Sequence, residues 1–315
     1  MKTLNRELER YLSIRRGLGY KLNTDERILR RFIEFMEQEE AAHISTGCFL
    51  RWKEAFGHAN TQTWSRRLTV VRIFAQWMHG IDPRHEVPPQ SLIPGHVRRS
   101  RPYIYSEEEI KMIVEAAAEL PSRNGIRPLT YSTFFGLIAV TGMRISEAVS
   151  LNVADVDLEN GVVAVRKGKL GKERLLPVST DTAERLVAYA VERDRLNEST
   201  PSAFFISDHG ERLDACAARY NFAIVCQRVG LRPVQKFFRH GRGPRIHDLR
   251  HTFAVRTMLN WYRDGKDPAQ EMIKLVTYLG HEKPAHTYWY IEAAPELLEL
   301  ASRRAEESAA REVES

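Results

Sequence analysis

The chain has 315 residues, 43% apolar and 28% charged, with a formal net charge of +6; these are the proportions of an ordinary soluble protein with room for two domains. No apolar run approaches the ~18 residues of a membrane span and no signal-peptide core opens the chain, so we expect a cytoplasmic protein with no membrane partner. Cys48, Cys216 and Cys226 form no CxxC pair, which argues against a disulfide framework or a cysteine zinc site.

Lys and Arg exceed Asp and Glu by seven in residues 1–105, and the remainder is near neutral. A polyanionic partner therefore suits the first third best. Residues 1–82 read as an all-helical domain. Leu4, Leu8, Tyr11 and Leu12 keep helical spacing, as do Ile28, Leu29, Phe32, Ile33 and Met36. Thr46 is the expected cap of a third helix, and a fourth is expected over 61–79, ended by Gly80 and Pro83. The opposite faces carry Arg15, Arg16, Lys21, Arg27, Arg30, Arg31, Arg66, Arg67 and Arg72, a pattern that suits tracking of a phosphate backbone. Residues 83–105 are proline-rich and read as a linker, with Arg98, Arg99 and Arg101 along it.

The second domain, 106–304, opens on a capping box, Ser106 with Glu109. A helix buried all round is expected over 130–140, broken by Thr141-Gly142, with another beginning at Arg144. GVVAVRKGKLGKERLLPVS predicts two strands and a tight turn near Lys169–Lys172. Helices at about 181–194 and 214–229 flank a short strand at 203–207. The C-terminal third is helical and ends in a polar tail, 305–315. The fold class is mainly α with a small β-sheet (α+β).

The chemistry concentrates in residues 242–290. His247, Arg250 and His251 fall on one helical face. Leu-Gly-His follows at 279–281, and tyrosines stand at 288 and 290. Cationic, proton-sharing and nucleophilic groups in that order suit attack on a phosphodiester. TGMRISEAVSL, a basic strand–turn–strand, HDLRHTFA, LGH and a terminal tyrosine, in this order, resemble the tyrosine recombinase (phage integrase) family. The resemblance covers roughly 106–300, and the N-terminal helices resemble that family's SAM-like core-binding domain. The ending TYLGHEKPAHTYWYIEAAPELLELA is most similar to the transposon-type integrase branch.

The resemblance implies a catalytic set of Arg144, Lys169, His247, Arg250, His281 and Tyr290. Arg144 and Arg250 would fork onto the scissile phosphate, with Glu147 orienting its neighbours. Lys169 would protonate the departing 5′-oxygen, with Lys167 and Lys172 as rivals. His247 and His281 would exchange protons, and Tyr290 would form a 3′-phosphotyrosyl bond, with Tyr288 as competitor; His251 reads as structural. DNA contacts are expected from Arg66, Arg67, Arg98, Arg99, Arg101, Lys172, Arg174, Arg242 and Arg245.

The expected partners are double-stranded DNA with specific sites and a homotetramer in the synapse. Sister recombinases remain open, as does the choice among integration, excision, transposition and dimer resolution. The setting is the bacterial nucleoid, with no cofactor and no metal. The two domains would clamp the duplex. The polar stretch WYRDGKDPAQE reads as a lengthened loop between two helices. The helix near 295–304, with Leu297, Leu298 and Leu300, either docks on a neighbour or packs on its own core. Three other readings fit parts of the pattern. His247 and His251, with His281, echo a zinc H-E-x-x-H site, which the charge of Arg250 opposes. A DNA-binding regulator without turnover and a type IB topoisomerase-like relaxing enzyme are the others.

Overall fold

Apolar residues recurring every third and fourth position build the first third as amphipathic helices. In the computed structural model, residues 2–57, 59–94, 101–166, 173–196, 202–234, 243–280, 296–303 and 306 are described. The chain divides into two compact units, residues 1–100 and 101–315. The first contains α1 (Lys2–Gly17), α2 (Asn23–Gln38), α3 (Thr46–Ala55) and α4 (Thr61–Ile81). Their inner faces meet in an aromatic core that includes Phe32, Phe49, Trp52, Trp64 and Phe74. Trp52 and Trp64 pack edge to face at 5.2 Å, a geometry that suits the ring quadrupoles.

Three local features differ from expectation. Ser45, not Thr46, caps α3 by accepting from the Cys48 N–H; the Thr46 hydroxyl instead bonds Glu86. Helix α4 runs through Gly80 to Ile81, because one glycine costs a helix only about 1 kcal/mol and does not by itself stop it. The first part of the expected linker, residues 83–94, folds onto this unit: the Glu86 N–H donates to the Ile44 carbonyl, and Ile93 is buried in the helical core.

The second unit begins where Tyr105 is pinned to a later helix. Its N–H donates to Thr252, its hydroxyl donates to the Arg245 carbonyl, and its own carbonyl accepts from Arg256. Then come α5 (Glu107–Ala118), α6 (Ile126–Thr141) and α7 (Ile145–Ser150). The capping box of Ser106 and Glu109 forms as expected. Helix α6 starts four residues before its expected position, since Pro128 lies in the first turn, where its missing N–H has no partner to lose. It is the central helix of the main core, with Phe134, Phe135, Leu137 and Ile138 buried and only Val140 exposed.

Strands β1 (Val156–Asp157), β2 (Val162–Val165) and β3 (Arg174–Pro177) form an antiparallel sheet in sequence order. The register sets Val163 opposite Leu176 and Val165 opposite Arg174. Strand β1 was not expected; two residues carry no readable period. The turn between β2 and β3 lies outside the described residues. Helices α8 (Thr180–Leu196) and α9 (Ala215–Arg228) follow, and the expected strand at 203–207 reduces to isolated bridges from Ala203 to Asn152 and from Ile206 to Arg212.

Helices α10 (Ile246–Arg263) and α11 (Pro268–Leu279) complete the numbered elements. The expected long loop between them is a short turn at 264–267. Trp261 extends α10 into a local core with Met258, Leu275 and Leu279, so a helix that looked polar in sequence continues on its one apolar side. Leu297 packs into the same core and Leu298 is exposed. The helical stretch 296–303 therefore seats on its own unit.

Gly142 ends α6 at φ 60°, a left-handed conformation that favours glycine. A Cβ there would lie 2.5 Å from the ring of Phe253. Gly142→Ala is expected to lose about 3 kcal/mol through strain and overpacking. Denaturant unfolding checks this, and an unchanged midpoint would refute it.

Candidate functional site

Two helices that begin alike set up the site. Arg144 precedes α7, and the Glu147 carboxylate reaches back to its backbone N–H at 2.8 Å. Arg245 precedes α10, and Asp248 accepts from its backbone N–H at 2.8 Å. In each case an acid in the first turn satisfies an otherwise orphaned donor and complements the helix dipole.

Glu147 does more than cap. Its side chain is 2% exposed and is shared by two guanidiniums. Arg144 donates to Oε1 at 2.8 Å, and Arg174 donates to Oε2 at 2.7 Å and to Oε1 at 3.2 Å. Burial pushes the Glu147 carboxyl up, but hydrogen bonds from Arg174 and Arg144 outweigh it and hold it below its ordinary value. Arg144 also donates to the Gly280 carbonyl at 2.9 Å and keeps part of its side chain accessible.

Arg250 lies on α10 and is 1% exposed. It donates to the carbonyls of Gly142 at 2.7 Å and Leu279 at 2.6 Å. These oxygens belong to the C-terminal ends of α6 and α11, where aligned peptide dipoles place negative charge that suits a cation. His247, one turn earlier, stacks edge to face on His251 at 4.7 Å between centroids. Desolvation by the surrounding protein, then the charges of Arg250, Arg245 and Arg144, push its imidazole down to about 4. His247 keeps part of its surface in solvent, so the nearby guanidiniums as well as burial support the direction. A lowered pKa favours the neutral imidazole at pH 7.

The fold thus brings Arg144, Arg250 and His247 together, and adds Glu147 and Arg174. Lys167, Lys169, Lys172, Arg98, Arg99, Arg242, His281, Tyr288 and Tyr290 lie outside the described residues. Arg101 is exposed. Arg245 is half exposed and ion-paired with Asp248 at 3.3 Å. Arg174, expected at a DNA backbone, is turned inward. The signal was present: on β3 it shares a face with buried Leu176, two positions on.

Of the nine basic residues expected on the helical unit, Lys21 is exposed and the other eight divide physically. Arg16 and Arg30 are held by Glu26, and Arg30 also by Glu9. Arg15 covers the ring of Tyr20, and Arg72 donates to the Pro88 carbonyl. Arg27, Arg31, Arg66 and Arg67 instead surround a cavity of about 420 Å³ floored by Trp52 and Phe56, and none of its lining residues is acidic. The Arg67 guanidinium lies 4.4 Å from the Trp64 ring centroid. Burial, then the charge of Arg31, lowers its pKa, and its Nη1 is buried without a hydrogen-bond partner. The aromatic faces stabilise the guanidinium without neutralising it.

The folded chain keeps His247 unprotonated where the unfolded chain binds a proton, so its contribution to stability falls as pH drops from 6.5 towards about 4. An imidazole NMR titration should place its midpoint well below 6.5. A midpoint at or above that value would overturn the assignment.

The family model described as "Phage integrase family" matches residues 104–296. The chain is 39% identical to y4rB of Sinorhizobium fredii, an integrase/recombinase by name, over 97% of this chain and 98% of that protein. It is 26% identical to the tyrosine recombinase XerD of Staphylococcus epidermidis, over 92% and 94%. Among solved structures, the Tn1549 transposon integrase in complex with transposon right-end DNA matches with a TM-score of 0.66 at 15% identity, covering 96% of this chain and 99% of that one. The XerH site-specific recombinase bound to its difH substrate matches with a TM-score of 0.66 at 21% identity, covering 90% and 79%. The chain belongs to the phage integrase family, the tyrosine recombinases.

Proposed function

We propose that the pocket formed by Arg144, Arg250 and His247 receives the scissile phosphate of a DNA strand. As a tyrosine recombinase the protein is a DNA strand-transfer enzyme. The observation that carries the residue assignment is the convergence of Arg144 and Arg250, from helices far apart in sequence, beside a neutral histidine and at the carbonyls of Leu279 and Gly280. Those carbonyls immediately precede the segment bearing His281 and Tyr290.

In this reading the two guanidiniums bind non-bridging oxygens and neutralise charge in the transition state. The Tyr290 phenol oxygen attacks phosphorus and gives up its proton to a neighbouring base, for which neutral His247 is suited. The bond to the 5′-oxygen breaks, and Lys169 supplies that oxygen's proton. The 3′-phosphotyrosyl linkage conserves the phosphodiester energy, so an incoming 5′-hydroxyl reverses the step without ATP. Two duplexes carry four strands to be cut, which calls for four protomers on two sites. Movement of an integrative, transposon-like element is the setting we favour, consistent with the integrase names of its relatives. In the helical unit, Arg27, Arg31, Arg66 and Arg67 form the DNA-backbone surface, because they converge on one cavity with no acidic residue in its lining.

Incubation with duplex DNA carrying the ends of its own element, in EDTA, should yield a covalent adduct under denaturing conditions. Tyr290→Phe should abolish it and Tyr288→Phe should retain it; the reverse pattern moves the nucleophile. Arg144→Ala should slow adduct formation by about 100-fold or more. For the helical unit, Arg66→Ala should make the salt dependence of DNA affinity shallower by about one counterion, while ion-paired Arg30→Ala leaves it nearly unchanged. Equal slopes in the two variants would remove the pocket from the DNA surface.

A further inference from the structure

We propose that Arg174 is a positioning residue whose charge offsets Glu147, so that Arg144 keeps its positive charge for the phosphate. The inference rests on reading Arg144 as a phosphate arm. Pairing of Arg174 with Val165 and of Leu176 with Val163 places Arg174 on the inward side of β3. There both of its terminal nitrogens engage the Glu147 carboxylate. Its Nε is buried without a partner, and its side chain is 11% exposed. With both terminal nitrogens on one buried carboxylate, the guanidinium faces Glu147 rather than solvent.

The charge balance explains what it does instead. Glu147 orients Arg144 through its carboxylate, but a lone carboxylate at 2.8 Å would also cancel the field that Arg144 is there to supply. Burial makes that cancellation stronger, because fewer waters screen the pair. A second arginine on the same carboxylate leaves the three-residue cluster with one net positive charge. Backbone geometry at Gly280 is matched to it: a Cβ there would lie 3.1 Å from Arg174 Nη1 and 3.6 Å from Arg144 Nη1. The absence of a side chain at Gly280 leaves room for both guanidiniums beside the residue whose carbonyl holds Arg144.

The test compares adduct formation on a nicked duplex carrying the element's ends, using full-length wild type, Glu147→Gln, Arg174→Met, Arg174→Lys and the double variant Glu147→Gln/Arg174→Met. Arg174→Met should be slower by about tenfold or more, and Arg174→Lys should recover most of that loss. Once Glu147 is neutral there is nothing to offset, so the double variant should match Glu147→Gln within about twofold. This comparison holds even if Arg174→Met alone fails to fold, since the double variant leaves no unpaired buried carboxylate. A double variant far slower than Glu147→Gln, with a shallower salt dependence of binding, would assign Arg174 to the DNA and overturn the proposal. An adduct absent from wild type would instead fail the reading of the site, and the proposal with it.

Discussion

The second unit depends on one buried carboxylate. Removing Glu147 from water is unfavourable by several kcal/mol unless its oxygens are fully paired, and here the pairing is supplied by a helix-capping N–H and two guanidiniums. That arrangement ties α7 to β3, and through the Gly280 carbonyl it ties both to the end of α11. A single group thus coordinates three elements that sequence places far apart. The same ties orient Arg144 without burying it.

Arg250 meets the opposite requirement. It is buried and rests on main-chain carbonyls at the ends of α6 and α11. Carbonyl dipoles hold a guanidinium in place while leaving its formal charge intact, whereas a carboxylate would neutralise it. The glycine at 142 makes this possible by turning the chain sharply and by leaving room for Phe253. Orientation by dipoles on one arginine, and by a shared carboxylate on the other, are two solutions to one problem: fixing a cation precisely enough for chemistry without spending its charge. The helical unit shows a third solution, in which Arg67 rests on the faces of aromatic rings.

Much of this was legible in the sequence. The helices of both units followed from apolar spacing, the capping box at Ser106 from residue types three apart, and the proximity of His247 to Arg250 from one helical turn. What failed shared a cause. The 83–105 stretch looked like a tether because its prolines suppress periodicity, yet Ile93 is buried. WYRDGKDPAQE looked like a loop because it is polar, yet Trp261 and Tyr262 continue the helix on the side of Met258 and Leu259. One or two apolar residues at the edge of a polar stretch carry little periodic signal.

The sequence by itself determined the family, the order of the motifs and which residue types could do the chemistry, because these depend on local spacing and on the functional groups themselves. Tertiary structure decided which cations are free to act. Nine basic residues on the helical unit looked equivalent until Glu9 and Glu26 engaged Arg16 and Arg30 and left Arg27, Arg31, Arg66 and Arg67 around a cavity. Arg174 looked like a DNA contact until the sheet register turned it towards Glu147. The reason is physical: an arginine's availability is set by the partner it meets across the fold, and that partner is not encoded in the arginine's own neighbourhood.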